Sequence, residues 1–256
     1  MAPAGQRRLI VNADDFGLTD GVSSGILRCF RDGIVTSTSA LVCDSAARHR
    51  LKLWRQALHG LAGVHLQMTD GRPLSDAARV ASLLTPGGTF PRFPQAIGQF
   101  DPAELRLEWH AQVNAFLDSG LVPSHMDTHH HVHAYPLVFT VYCEIALAHG
   151  LPARTLSAEM TRQLRARGVP CADLGAEWSA GDQQSFLELA DRLFSALGGG
   201  VVEIGCHPAA ADAALERLSV YSAPRARELE VLCDPVLRRE LEQKGVELVP
   251  ALSLSR

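Results

Sequence analysis

Two carboxylates stand side by side at Asp14 and Asp15, where the apolar run Leu9-Ile-Val11 ends. Like charges this close repel, and a metal on one with a proton shared by the other would neutralise them. The chain supplies further groups of the right kind at a distance: His65, then Ser124-His-Met-Asp-Thr-His-His-His-Val-His133, then His207. A carboxylate plus two imidazoles from separate strands is a facial set that holds a divalent metal and leaves positions open for water and substrate. Asp15, His65 and one histidine of the 129 to 133 group would supply it, and spacing does not choose among His129, His130, His131 and His133. Such a metal polarises a carbonyl and makes its bound water a nucleophile near neutral pH. Asp14, beside the ligand, can take the water's proton, and His207 can protonate a leaving group.

The same residues admit other readings. An Asp pair after a strand can simply be solvated and cap the next helix. Asp15-Phe-Gly17 matches the metal-binding tripeptide of protein kinases, but no glycine-rich loop, lysine strand or catalytic loop precedes it. Gly21-Val-Ser23-Ser-Gly25 matches the nucleophile elbow in letters only, because the strand ends several residues earlier. Cys206 and His207 are sequence neighbours, which on a strand sends them to opposite faces and leaves Cys206 for the core. His125 shares a strand face with Asp127 and stays a candidate ligand. His49, His59, His110 and His149 fall on helices or their ends and read as surface or capping residues.

These groups need strand ends to bring them together. Residues 9–11 are a strand, 20–32 a helix stopped by Gly33, 36–42 a second strand, 45–58 a helix, and 61–66 a third strand carrying His65. A stretch rich in glycine and proline follows to about Phe100, the composition of a lid or binding loop. Asp101, Pro102 and Glu104 announce a helix with a capping box, whose buried face is Leu105, Trp109, Val113, Phe116 and Leu117. A short strand reaches Asp127 before the histidine-rich loop, and Pro136 opens a helix closed by Gly150. Residues 153–156 read as a fifth strand, and 156–181 is hard to assign. Asp182 caps a helix with Phe186, Leu189, Leu193, Phe194 and Leu197 inward, and 201–206 is a strand. Helices starting near Ser222 and Asp234 precede a last strand at 246–249. With no repeat or linker, the alternation is that of one α/β domain over 1–256, a parallel-stranded barrel of TIM-barrel type. Asp14, Asp15, His65, Asp127 and His207 then converge at the carboxyl ends of its strands.

Composition narrows the partners. The net charge of −4 and the lack of any lysine or arginine cluster point away from nucleic acid and anionic membranes. Six scattered cysteines without a Cys-x-x-Cys pair suit reduced thiols in the cytosol. Met1 to Arg8 does not read as a signal peptide, and no apolar run approaches the ~20 residues of a membrane span.

Leu9-Ile-Val-Asn-Ala-Asp-Asp-Phe-Gly-Leu18, Gly33-Ile-Val-Thr-Ser-Thr38, Gly63-Val-His-Leu66, His125-Met-Asp-Thr-His-His-His-Val-His133, Glu203-Ile-Gly-Cys-His-Pro208 and Tyr221-Ser-Ala-Pro-Arg225 together resemble the YdjC family of carbohydrate deacetylases, and within it the chitooligosaccharide deacetylases. The resemblance runs in order over nearly the whole chain and is weakest from Leu156 to Gly181. It implies a deformed (β/α) barrel that removes acetyl groups from N-acetylglucosamine units, with a divalent metal on Asp15, His65 and His129. It selects His129 from the four candidates and supports Asp14 as base and His207 as acid. Arg154, Asp127 and His131 are implied as substrate-binding groups. The metal implied is Mg²⁺, although two imidazoles would suit Zn²⁺. The expected partner is an N-acetylated oligosaccharide, and a homodimer is compatible with the sequence. Rival readings are a deacetylase of another amino sugar or glycolipid head group, or a sugar-binding protein without catalysis.

Overall fold

The computed structural model describes residues 5–255; Met1–Ala4, part of the segment read as lacking a leader, lie outside the described residues. Its organising element is β1 (Arg7–Phe16), where Leu9, Ile10, Val11, Ala13 and Phe16 are all fully buried. Burial of both faces is what an apolar run without alternation calls for. Around it follow α1 (Asp20–Asp32), β2 (Ser37–Ala40), α2 (Ser45–Leu53), α3 (Arg55–Leu58), β3 (Ala62–Leu66), α4 (Pro102–Leu117), β4 (Met126–Thr128), α5 (Pro136–His149), α6 (Ala158–Ala166), β5 (Leu174–Glu177), α7 (Gln183–Leu197), β6 (Gly200–Cys206), α8 (Ala213–Leu218), α9 (Ala223–Leu232), α10 (Pro235–Gln243) and β7 (Val246–Leu248).

All strand pairs are parallel, in the order β4-β3-β2-β1-β6-β5. One edge of β1 is shared: residues 7–9 pair with β7, and residues from Asn12 onward pair with β2. Between β4 and β5 the ladder is replaced by a single bridge, Met126 to Ala153, with Ala153 N–H donating in turn to Pro170 O. The sheet is thus a deformed barrel whose gap is stopped by residues 152–155. That segment was expected to be the fifth strand; the strand itself is Leu174–Glu177, inside the stretch that was hard to assign. The helix expected over 45–58 is broken at Trp54 into α2 and α3.

In-register neighbours share a face, so the pairs Asn12–Ser37, Ser39–Gly63, His65–Asp127, Gly175–Glu203 and Glu177–Gly205 mark the inner layer of the barrel. Toward the strands' amino ends that face is apolar, with Ile10, Ala172, Val201, Val249 and Ala251 in one cluster. Toward their carboxyl ends it turns polar. Two glycines there make room for the polar groups. A Cβ on Gly63 would lie 2.6 Å from the His125 ring, and one on Gly205 would lie 2.5 Å from the Glu177 carboxylate. The outer face packs on the helices through Trp109, Phe116, Tyr142, Phe186 and Phe194.

Helix ends mostly follow the expected signals. Asp101 accepts from Ala103 N–H and Asp182 from Ser185 N–H, while Gly150 closes α5 in the left-handed conformation. Glu104 departs from its expected capping box: its carboxylate takes Ser82 N–H and Oγ–H instead, tying the 67–100 segment to α4. Leu117 and Leu197, expected inward, are partly exposed at their helix ends.

Candidate active site

β1 carries a register shift between Ala13 and Phe16, and Asp15 has φ of 70°. A strict strand would send Asp14 and Asp15 to opposite faces. The bulge turns the second carboxylate back, so both line one pocket of ≈ 340 Å³ at the carboxyl ends of the strands. Left-handed backbone is more accessible to Asp than to most side chains, so the turn here needs no glycine.

Asp15 Oδ1 lies 3.3 Å from His65 Nε2 and 3.1 Å from His129 Nδ1, and those two nitrogens are 3.3 Å apart. Adjacent donors on a cation with bonds of ~2.1 Å are spaced by roughly 3.0–3.4 Å, so the triangle has the size of one face of a coordination shell. Asp15 Oδ1 is buried with no hydrogen-bond donor among the described residues, whereas Oδ2 accepts from Arg225 Nη2 at 2.7 Å. His65 is oriented from behind: its Nδ1 donates to Asp127 Oδ1 at 2.6 Å and lies 3.1 Å from Ser39 Oγ, which turns Nε2 toward the triangle. The residues therefore fit a cation.

The supporting charges converge on Arg154. Its guanidinium donates to both Asp14 oxygens at 2.6 and 2.7 Å, to Glu203 at 2.6 Å, and reaches Asp127 Oδ2 at 2.8 Å. Burial pushes Asp14 upward, but the Arg154 charge and hydrogen bonds outweigh it and hold the carboxyl far below its ordinary range. Asp15 is held low in the same way by Arg225 and His129, against burial. His65 moves the other way. Burial disfavours its imidazolium, yet Asp127 and the other nearby carboxylates raise it to about 10. A cation at the triangle must expel that proton. Asp14, Asp15, Asp127 and Glu203 gather on two guanidinium groups, Arg154 and Arg225, so carboxylates outnumber guanidinium groups around the triangle, as a cation site requires.

Glu177, at the end of β5, was not singled out in the sequence. Its carboxylate accepts from His131 Nε2 at 2.9 Å and faces His207 Nδ1 at 3.3 Å. Tyr221 and Arg225 come from the entry to α9, where buried Glu228 accepts from the Tyr221 hydroxyl and from His207 N–H, each at 2.5 Å. Asp70, Arg92 and Phe93 reach the rim from the 67–100 segment.

Of the residues expected here, Asp14, Asp15, His65, His129, His131 and His207 all line the pocket. Asp127 and Arg154, implied as substrate-binding groups, lie fully behind it and act on its wall instead. His125 is not in the cluster; it is buried beside Gly63, hydrogen-bonded to Ser124 Oγ, and burial lowers it to about 4. His133 bonds Thr128 and stacks on Tyr142, and His130 lies outside the triangle, near Thr69. Ser23 donates to Thr19 O inside α1, away from any histidine partner. Cys206 is fully buried.

The family model described as YdjC-like protein matches residues 8–243. The chain belongs to the YdjC family. It is 38% identical to a protein of Geobacillus stearothermophilus named carbohydrate deacetylase, covering 95% of this chain and 96% of that one. A protein of Proteus mirabilis named chitooligosaccharide deacetylase is 36% identical, with 94% and 96% covered. A crystal structure from Enterococcus faecalis V583, of a candidate cellobiose-phosphate cleavage protein, superposes with a TM-score of 0.88 at 32% identity, covering 98% of this chain and 100% of that one. YdjC membership accounts for the order of the sequence blocks that carry the pocket. No helix among the described residues is long and apolar enough to cross a membrane.

Proposed function

We propose that this YdjC protein is a metal-dependent hydrolase that removes the N-acetyl group from N-acetylglucosamine units of chitooligosaccharides and releases acetate. The observation that carries the reading is the Asp15–His65–His129 triangle, with its undonated Asp15 oxygen, set beside Asp14 in one pocket. The names of the relatives supply the substrate class.

A divalent cation held by these three residues, Mg²⁺ by family resemblance or Zn²⁺ by the preference of imidazoles, would polarise the acetyl carbonyl and acidify a water. Arg154 keeps Asp14 ionised and therefore ready to accept a proton. The same grip makes Asp14 a weak base, adequate only for a water already acidified. Across the pocket His207 presents its Nδ1 edge to Glu177, which leaves Nε2 to give a proton to the departing amine. Arg225 holds the second oxygen of Asp15 and so fixes which oxygen faces the cation. The unpaired cysteines suit a reducing, cytosolic setting.

The test is acetate release from a panel of acetylated mono- and oligosaccharides by the metal-loaded protein. Chelation should abolish release and a divalent ion should restore it. Release that persists in verified metal-free protein would overturn the mechanism, and release only from other acetylated amino sugars would overturn the substrate.

A further inference from the structure

Cys29 and Cys233 are 204 positions apart in the chain, yet their sulfurs lie 3.7 Å from one another, and both are free thiols. The contact joins the carboxyl ends of two helices. Cys29 stands in the last turn of α1, where its carbonyl accepts Gly33 N–H, and Cys233 is the C-cap of α9. The backbones meet there as well: Ile34 N–H donates to Leu232 O at 3.0 Å, and a Cβ on Gly33 would lie 2.4 Å from that oxygen. Main chain therefore holds the two thiols together. Cys29 is fully buried, whereas Cys233 is half-buried. Their mutual hydrogen bond pulls the Cys233 thiol below its ordinary value, and the Arg28 and Arg31 charges help against burial and Asp32. The same bond and burial push Cys29 up. Cys233 is thus the thiol that ionises and meets solvent, with Cys29 waiting behind it. Neither lines the pocket, and the acetyl chemistry uses neither.

We propose that Cys29 and Cys233 form an oxidation site for hydroperoxides, whose product is a disulfide that locks α1 to α9. The Cys233 thiolate attacks one peroxide oxygen, the O–O bond breaks, and the other oxygen leaves with the electron pair as hydroxide or alkoxide and takes up a proton. The sulfur is left as a sulfenic acid. The Cys29 sulfur then forms the S–S bond as the sulfenic S–O bond breaks, and the Cys29 proton departs with that oxygen as water. Two thiols have lost two electrons, and one peroxide has gained them. The new bond draws the sulfurs in to ~2.05 Å, a movement the half-buried Cys233 can make at the end of its helix. α1 begins just beyond Asp15, and α9 carries Arg225, which holds Asp15 Oδ2. The lock therefore clamps the two helices on either side of that carboxylate.

Hydrogen peroxide, added in small excess to the metal-loaded protein, is the probe. Alkylation and peptide mass mapping should then show two of the six thiols lost and Cys29 linked to Cys233, with both thiols restored by dithiothreitol. A cross-link spanning so much of the chain should raise the midpoint of thermal denaturation by roughly 10 °C. Cys233→Ser should show neither the linkage nor the rise. Cys29→Ala should stop at the sulfenic acid, trapped on Cys233 by dimedone; if the cavity it leaves prevents folding, Cys233→Ser at the half-buried cap decides alone. Six free thiols after peroxide, or oxidation of Cys43, Cys143, Cys171 or Cys206 in place of this pair, would overturn the site. A linkage that leaves the midpoint unchanged would overturn the lock.

Discussion

Asp14 and Asp15 are adjacent copies of one side chain in opposite circumstances. Asp14 has both oxygens on Arg154, with a further hydrogen bond from Asn12 Nδ2 at 2.8 Å, whereas Asp15 has one oxygen on Arg225 and the other on the triangle. Asp14→Asn should retain metal yet lose ~100 to 10,000-fold in turnover, while Asp15→Asn should bind metal weakly and recover part of its rate at high metal concentration. His65→Ala and His129→Ala should also lose tightly bound metal, and His49→Ala and His110→Ala should not. Metal content and turnover measured together decide this, and loss of metal from Asp14→Asn would reverse the assignment. The identities of these residues were legible in the sequence; their orientation was not, because it depends on one positive φ that Asp tolerates without advertising it. Arg154 was legible only through family resemblance, since a lone arginine after a loop has no local pattern. Its substitution gives a pH test. In the parent, Asp14 and Asp127 are held below their unfolded values, so the stability they contribute is complete above about pH 4 and drains as pH falls further. In Arg154→Met the buried carboxylates lose their counter-charge and shift upward, so their contribution is present at low pH and lost as pH rises. Breaking such a buried network costs about 3–5 kcal/mol near neutrality. Denaturation of metal-free protein should show the parent losing stability as pH falls below about 4 and the variant not doing so; parallel curves in that acid range would refute the role of Arg154.

The segment from 67 to 100 is a long loop that behaves as an element. Buried Glu108 on α4 accepts Leu74 N–H at 3.0 Å and Ser75 N–H at 2.9 Å, and Gln112, one turn on, accepts Gln67 N–H at 2.7 Å. Asp70 N–H to Pro91 O and Phe90 N–H to Gly71 O fold the loop on itself and carry Arg92 and Phe93 to the rim. Glu108→Ala would strip two backbone donors of their acceptor, at about 1–3 kcal/mol each. Hydrogen exchange should then quicken over 67–100 and leave β1 and β6 protected; uniform protection throughout would show that the anchor is dispensable. The apolar stripe of α4 was readable from helical spacing, but the glutamate and glutamine beside it look like any solvated helix face. β5 was missed for a related reason. Leu-Gly-Ala-Glu has no β-branched residue, and its glycine answers to a neighbour: a Cβ on Gly175 would lie 2.0 Å from Thr155 O.

At the scale of the molecule, the expected deformed barrel is, among the described residues, a parallel sheet of seven strands with a plugged gap, and the plug carries Arg154. The alternation of strands and helices announced the class, but closure depends on register between strands far apart in sequence, which no local pattern records. β1 joins both ends of the chain, pairing with β2 nearby and with β6 and β7 from the far end. Such non-local pairing slows folding. On dilution from denaturant, metal-binding competence should return only with the slowest refolding phase, later than the burial of tryptophan in α4; simultaneous recovery would contradict this order. The same connectivity bears on synthesis. Asp15 leaves the ribosome 210 residues ahead of its partner Arg225. At 5–20 residues per second, that is a wait of roughly 10–40 seconds. During that interval a Leu-Ile-Val strand has no partner on its β6 side, and a newborn chain of this protein is for that time a natural client for whatever chaperone shields strand edges at the tunnel exit.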